Sequence, residues 1–332
     1  MAPMRPSAVP RTVMAAAVLA CLPAFTACTP GQPAPSPAVT SNAPQRPVVV
    51  GALDTAEGAI IAELYSGALR AAGVPSSVKL NVGGRAATLE ALRSGSVQLV
   101  PAYSGSLLEA LGGSAKDTGD DAVKAGITAA LRKPMAILDA SGAQDREAVV
   151  VTKVTAEKYQ LKTLDDLGKV CSQTVFAAAA DFSGTPYGSQ ALKSAYSCTP
   201  KRLLTYGMKT GPDGGPSLPT GQQSSDYTIP QPLRSLLEDE AQVAVLLSTD
   251  PAIEDNDLVV LEDTRKALLP EQVLPVVNEV ALPDKARDAV NNVSRTLSAD
   301  DLVTMNRAIR GDQARTPREV ALSWLKERGI TG

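Results

Sequence analysis

The sequence predicts an α/β fold, with chain enough for two domains. Short apolar runs of strand length alternate with segments of helical periodicity from Pro47 onward, the pattern of a parallel sheet covered by helices. The alternation restarts at Ala148, and about 285 residues run from Pro47 to Gly332, a length that accommodates two domains.

Pro47-Val48-Val49-Val50-Gly51 is a buried-strand run, and Asp54-Thr55-Ala56-Glu57 behind it has capping-box spacing. Ile60, Ile61, Leu64, Ala68 and Leu69 then recur on one helical face until Gly73 stops the helix. Residues 78–82 read as strand, 87–93 as a helix ended by Gly95, and 97–100 as strand. In the second stretch, residues 148–152 and 174–179 read as strands on either side of a helix opened at Thr163. Residues 188–196 read as helix and 202–206 as strand. A loop rich in Gly, Pro, Ser and Gln follows over 209–232, long enough for a functional or disordered insertion whose role the sequence does not state. Residues 233–240 and 243–247 resume helix and strand; after a short run at 258–261 the chain is expected to be helical over 283–310. The last helix is framed by Thr316 as cap, Pro317 at its first position, Glu319 completing the box and Gly329 as stop. Val320, Ala321, Trp324 and Leu325 share one face, which makes Trp324 a core residue. Asn278 and Asn291 have no motif around them and are expected at the surface.

The leader carries its own chemistry. Arg5 and Arg11 supply a short basic region before an uncharged apolar run over 13–25, the length of a signal-peptide core and too short to span a bilayer. It ends at Phe25-Thr26-Ala27-Cys28, which resembles the lipobox of bacterial lipoproteins with Phe25 where Leu is usual. Residues 1–28 are therefore expected to be a lipoprotein signal whose Cys28 is acylated and anchors the chain to the cell membrane. An ordinary cleaved signal, or Cys21 as the acylated residue, is the competing reading. Residues 29–46 are rich in Pro, Ala, Ser and Gln with one charge, Arg46, and cannot bury enough apolar area to offset their ordering entropy. They are expected to be a flexible tether, and the protein is expected to be extracytoplasmic.

Composition removes whole classes of function. Lys plus Arg number 32 against 35 Asp plus Glu, aromatic residues are 3%, and no basic patch stands out, so no nucleic-acid partner is expected. The chain contains no His, which removes Ser-His-Asp triads, Cys-His dyads and His-ligated zinc. No metal or cofactor is expected. Beyond the leader only Cys171 and Cys198 remain, and in an oxidising compartment two such cysteines suggest a disulfide, with two buried free thiols as the alternative.

Several segments resemble one family in their order and spacing: residues 51–57, Asn81-Val82-Gly83-Gly84, Ala91-Leu92-Arg93-Ser94-Gly95 and Pro101-Ala102-Tyr103-Ser104-Gly105-Ser106. Ala143-Gln144-Asp145, Leu164-Asp165-Asp166-Leu167, Ser248-Thr249-Asp250, Val260-Leu261-Glu262-Asp263 and residues 322–330 continue the series, so the resemblance covers 48–330. They look like the glycine betaine/choline/carnitine-binding proteins of osmoprotectant ABC importers. That resemblance implies a two-lobed periplasmic-binding fold with two hinge crossover strands, closing over a ligand. One lobe would comprise residues 47–147 with 249–332 and the other 148–248, with crossovers near 145–149 and 246–250. It also implies an ABC permease and its ATPase as partners, a small-molecule ligand, and a monomer.

The family's quaternary ammonium ligands sit among tyrosines, because a desolvated cation is attracted to aromatic faces. Tyr103 matches one of those tyrosines. Glu147 and Leu247 stand where two further aromatic residues are usual, Thr185 where the family has Arg, and Leu53 where Lys is common. The candidate ligand-binding set is Tyr103 with Asp54, Thr55, Glu57, Ser104, Asp145, Arg146, Glu147, Thr185, Tyr187, Thr249 and Asp250. It is rich in acceptors and hydroxyls, which suits a hydroxyl-rich or donor-rich solute. Bland alternatives stand beside each role: Asp54 and Glu57 as helix caps, Thr249 and Asp250 as turn formers, Arg146 as partner of Glu147. Two rival classes remain, a ligand-sensing lipoprotein with the same cleft and an enzyme on the same fold. Against the enzyme stand the missing His, the lack of a Cys nucleophile, and a Gly83-Gly84 pair too short for a phosphate loop.

Overall fold

The computed structural model describes residues 46–113, 119–207, 230–310 and 313–331. The leader, Cys28, and most of the 209–232 loop lie outside the described residues. The Val-rich run forms β1 (Val48–Gly51), followed by α1 (Ala56–Ala71), β2 (Ser76–Lys79), α2 (Arg85–Arg93) and β3 (Leu99–Tyr103). Next come α3 (Ser104–Ala110), α4 (Asp120–Ala130) and β4 (Met135–Ile137).

The chain then enters a second unit. It contains β5 (Glu147–Val151), α5 (Lys153–Tyr159), α6 (Leu164–Val170), β6 (Val175–Ala179), α7 (Ala180–Gly184), α8 (Ser189–Tyr196) and β7 (Arg202–Tyr206). It ends with α9 (Gln231–Leu237), β8 (Val243–Leu247), α10 (Ala252–Asp255) and β9 (Val259–Val260). The return supplies β10 (Val273–Asn278), α11 (Asp284–Thr296), α12 (Ala299–Ala308) and α13 (Pro317–Glu327).

Two five-stranded sheets result, ordered β2-β1-β3-β10-β4 and β7-β6-β8-β5-β9. Both are mixed rather than purely parallel. β10 runs antiparallel to β3 and β4, and β5 antiparallel to β8 and β9, because each enters its sheet from the other lobe instead of through a covering helix. Each sheet has its own core. In the first, the apolar face of α1 packs with α11 and α13 through Ile60, Leu64, Val290 and Trp324. In the second, Phe176, Phe182, Leu192 and Val243 pack together, with the Cys171–Cys198 disulfide closing the end of α8 onto the turn after α6.

The lobes differ from the sequence expectation in one respect that matters for the site. β8 does not lead back to the first lobe. The Asp250 N–H bonds the Leu247 carbonyl at 3.0 Å to make a turn, and Ala252 and Ile253 then pack on Ala148, Leu233 and Leu246 of the second lobe. β9 extends the second sheet, and Leu261 and Leu268 join its core. The chain returns only at 269–272, where Leu269 enters a first-lobe cluster with Leu107 and Leu274. The two crossing segments bond each other: Gln144 bridges Gln272, and the Asp145 N–H donates to the Glu271 carbonyl at 3.0 Å. The second crossover is therefore 269–272 and not 246–250, and residues 251–268, expected in lobe 1, pack with lobe 2.

Smaller differences have local causes. The expected single helix over 283–310 is two, because Leu297 turns extended and Ser298 starts α12 with a capping box to Asp301. Asn278 is buried, donating Nδ2 to the Leu92 carbonyl at 3.1 Å, and Asn291 accepts from the Asp139 N–H at 3.1 Å. The α13 frame of Thr316, Pro317 and Glu319 is as the sequence predicts.

Candidate functional site

Glu57 shows how the site is assembled. The cap of α1 is Thr55, whose side-chain oxygen accepts from the Gly58 N–H at 2.9 Å. Asp54 instead accepts from the Gly83 N–H at 3.2 Å, so the box expected between Asp54 and Glu57 does not form. Released from capping, Glu57 turns inward and is only 8% exposed. Tyr103, at the end of β3, donates its hydroxyl to Glu57 Oε1. Thr249 Oγ1 lies 2.8 Å from Glu57 Oε2 and 2.7 Å from Asp145 Oδ1, and Asn306 Nδ2 of α12 donates to Glu57 Oε2 at 2.5 Å. Five side chains from α1, β3, α12, the first crossover and the turn after β8 thus meet at one buried point. Beside it, Arg310 pairs with Asp250 at 2.5 Å, again joining the lobes.

A cleft of about 520 Å³ opens from this network between the lobes. Nine of the predicted residues line it: Thr55, Glu57, Tyr103, Asp145, Glu147, Thr185, Tyr187, Thr249 and Asp250. Three do not. Asp54 holds the loop before α2. Ser104 is buried against the returning crossover, donating to the Pro270 carbonyl at 2.9 Å and accepting from the Gln272 N–H at 3.0 Å. Arg146 is exposed, its N–H bonded to Ser248 Oγ at 3.0 Å, with no ion pair to Glu147 among the described residues.

Several lining residues were not among those predicted: Arg85, Ser106, Glu109, Asp181, Glu271, Asn306 and Arg310. Two were open to detection, Ser106 at the end of a segment resembling the family and Asn306 as a polar residue beside Met305 on the buried face of a helix. Glu271 receives the N–H of Ser106 at 3.0 Å and its hydroxyl at 2.5 Å, and Arg85 donates to Ser106 Oγ at 2.9 Å.

The site is strongly acidic, and its titrations follow. Burial, then the Glu57 charge, push the Asp145 carboxyl well above the usual carboxylate range. Burial lifts Glu147 to about 8, aided by the charges of Asp181, Glu271 and Glu109. Burial also raises Glu271 despite its bonds to Ser106, and burial beside Glu57 and Asp145 raises Tyr103. Among the described residues no three acidic groups stand close enough to hold a metal ion.

Two sheets, two paired crossing segments and a polar cleft between them define a two-lobed solute-binding protein. Residues 46–327 match the OpuAC family, the substrate-binding domain of ABC-type glycine betaine transport systems, and the chain belongs to that family. Proteins of this family bind small molecules outside the cytoplasm and work with an ABC permease and ATPase. The fold is shared with a glycine betaine/carnitine/choline ABC transporter protein at TM-score 0.69 and 21% identity, covering 85% of this chain and 99% of that one. YehZ from Escherichia coli matches at TM-score 0.64 and 21% identity, covering 86% and 99%. Lactococcal OpuAC, closed on glycine betaine, matches at TM-score 0.55 and 11% identity, covering 86% and 96%. No helix among the described residues is long and apolar enough to cross a membrane.

Proposed function

We propose that this chain is the lipid-anchored solute receptor of an ABC importer, held at the membrane through Cys28, and that it traps a small donor-rich solute without making or breaking a bond. The observation that carries this reading is the cleft itself. Its wall joins both lobes through the Glu57–Thr249–Asn306 contacts, so closing around a ligand and moving the hinge at 144–146 and 269–272 are one event. Lobe 1 would be residues 46–145 with 269–331 and lobe 2 residues 147–268. The aromatic complement is thin. Tyr103 spends its hydroxyl on Glu57, Leu247 and Glu147 stand at positions aromatic in the resembling family, and Tyr187 leans on the first lobe's apolar cluster. Acceptors dominate what is left.

The test is a melting screen of the chain from Gln45 on, which forms its own compact unit. Ligand at 100 times its dissociation constant adds about 2.7 kcal/mol of stability. Tyr103→Ala should weaken whatever binds. Absence of any shift across betaines, amines, sugars and polyols would overturn the receptor reading. In cells, Cys28→Ala should release the protein from the membrane fraction; full retention would refute the anchor.

A further inference from the structure

The balance of charge in the cleft goes further than its general polarity. Its wall carries seven carboxyl groups, on Glu57, Glu109, Asp145, Glu147, Asp181, Asp250 and Glu271, against two guanidinium groups, on Arg85 and Arg310. Arg310 is committed to Asp250, and Arg85 sits on Ser106 beside Glu271. Glu57 is satisfied by its three donors, and Asp145 by Thr249. Three carboxyls remain, Glu109, Glu147 and Asp181, with no hydrogen bond or ion pair to a protein group among the described residues. They come from opposite sides: Glu109 from α3 in the first lobe, Glu147 and Asp181 from the second, with Glu271 of the returning crossover bonded to Ser106 on the Glu109 side.

Like charges facing across a closing cleft oppose closure, unless something of opposite sign lies between them. A metal ion does not fit, since no three of these groups converge. A fully methylated ammonium does not suit them either, for it has no N–H to give a carboxylate, and among the described residues only two aromatic rings line the wall.

We propose that the cleft selects an organic cation bearing two or more N–H donor groups, an amine or guanidinium compound, held between Glu109 and Glu271 on one side and Glu147 and Asp181 on the other. This rests on the receptor reading of the same cleft. The cation holds the lobes together by neutralising both walls. Glu147 faces Asp181, Glu271 and Glu109, which with burial keep it partly protonated near neutral pH. Binding a cation expels that proton, so affinity rises with pH, by up to tenfold per unit while Glu147 is still protonated.

The experiment is calorimetry on the chain from Gln45 on, with putrescine, agmatine, glycine betaine, choline and an uncharged polyol, at pH 6, 7 and 8. The expected result is that putrescine or agmatine binds at least tenfold more tightly than the betaine, choline and the polyol. That binding should release protons and strengthen with pH. Glu147→Gln, which removes a repelling charge, should weaken the cation at least tenfold and reduce the pH dependence to what Glu271, also raised by burial, contributes. Tighter binding of betaine, choline or the polyol than of both cations overturns this inference and leaves the receptor standing. So does cation binding that Glu147→Gln leaves unchanged. No binding by any of the five, in a protein that melts cooperatively, counts against both.

Discussion

Thr249 is the most exposing place to perturb the molecule, because its hydroxyl has one proton and two carboxyl neighbours. It lies 2.8 Å from Glu57 Oε2 and 2.7 Å from Asp145 Oδ1, and a single proton can serve only one of them. The second contact needs a proton from a carboxylic acid. Burial, then the Glu57 charge, raise the Asp145 pKa, so this carboxyl pair holds a proton more readily than free carboxyls do. Thr249 also donates its N–H to Asp145 Oδ1 at 3.2 Å. Thr249→Val keeps the shape and removes the link, so that Glu57 loses one of three donors and Asp145 keeps only the Thr249 N–H of its two. A buried polar group left short of a partner costs about 1–3 kcal/mol, and two such groups cost roughly 2–6 kcal/mol. At about 2–4 °C per kcal/mol for a protein of this size, the melting temperature should fall roughly 4–24 °C.

The same network sets the sign of one pH dependence. The folded pKa of Asp145 lies above its unfolded value, so its contribution is complete in acid. It is lost as pH rises from the ordinary aspartate range through the folded pKa, because the unfolded chain releases the proton first. Differential scanning calorimetry across pH 4 to 9 on wild type, Thr249→Val, Thr249→Ser and Asp145→Asn checks both claims. Serine should retain most of the stability, and Asp145→Asn should flatten the pH slope. A valine variant melting within about 2 °C of wild type, or a serine variant as damaged as the valine one, would refute the shared-proton account.

Two further outcomes follow from the second lobe. Non-reduced, denatured protein from Gln45 on should show no free thiol, and replacing Cys171 and Cys198 by Ser should cost about 3 kcal/mol, the entropy of the loop they close; this is read by urea unfolding. Gly188→Ala would place a Cβ 1.9 Å from the Phe182 carbonyl oxygen, a backbone atom that cannot swing aside. It should destabilise by about 1–3 kcal/mol and weaken ligand binding through the shifted Thr185–Tyr187 turn, measured by melting and calorimetry together.

What was legible in the sequence is what nearby residues decide among themselves. The α13 frame, β7 and β8 are set by caps, periodicity and stops within a few positions, and they form where those signals place them. Pairing of Cys171 with Cys198 was legible too, through the scarcity of other partners. Glu57 marks the boundary. Its spacing from Asp54 is that of a capping box, yet Thr55 takes the cap, and Asn306, 249 residues further on, takes the carboxylate. The true return crossover stayed hidden for the same reason. Whether the chain goes back to the first lobe after β8 depends on Ala252 and Ile253 finding an apolar partner in Ala148, about a hundred residues earlier. The acidic wall likewise gathers Glu109, Glu147, Asp181 and Glu271 from four separate stretches, and of these only Glu147 was placed in the site from the sequence. Contacts between distant residues leave no local period to read, so the elements came from the sequence alone, while the hinge and the charge of the cleft were decided only when the two lobes folded against each other.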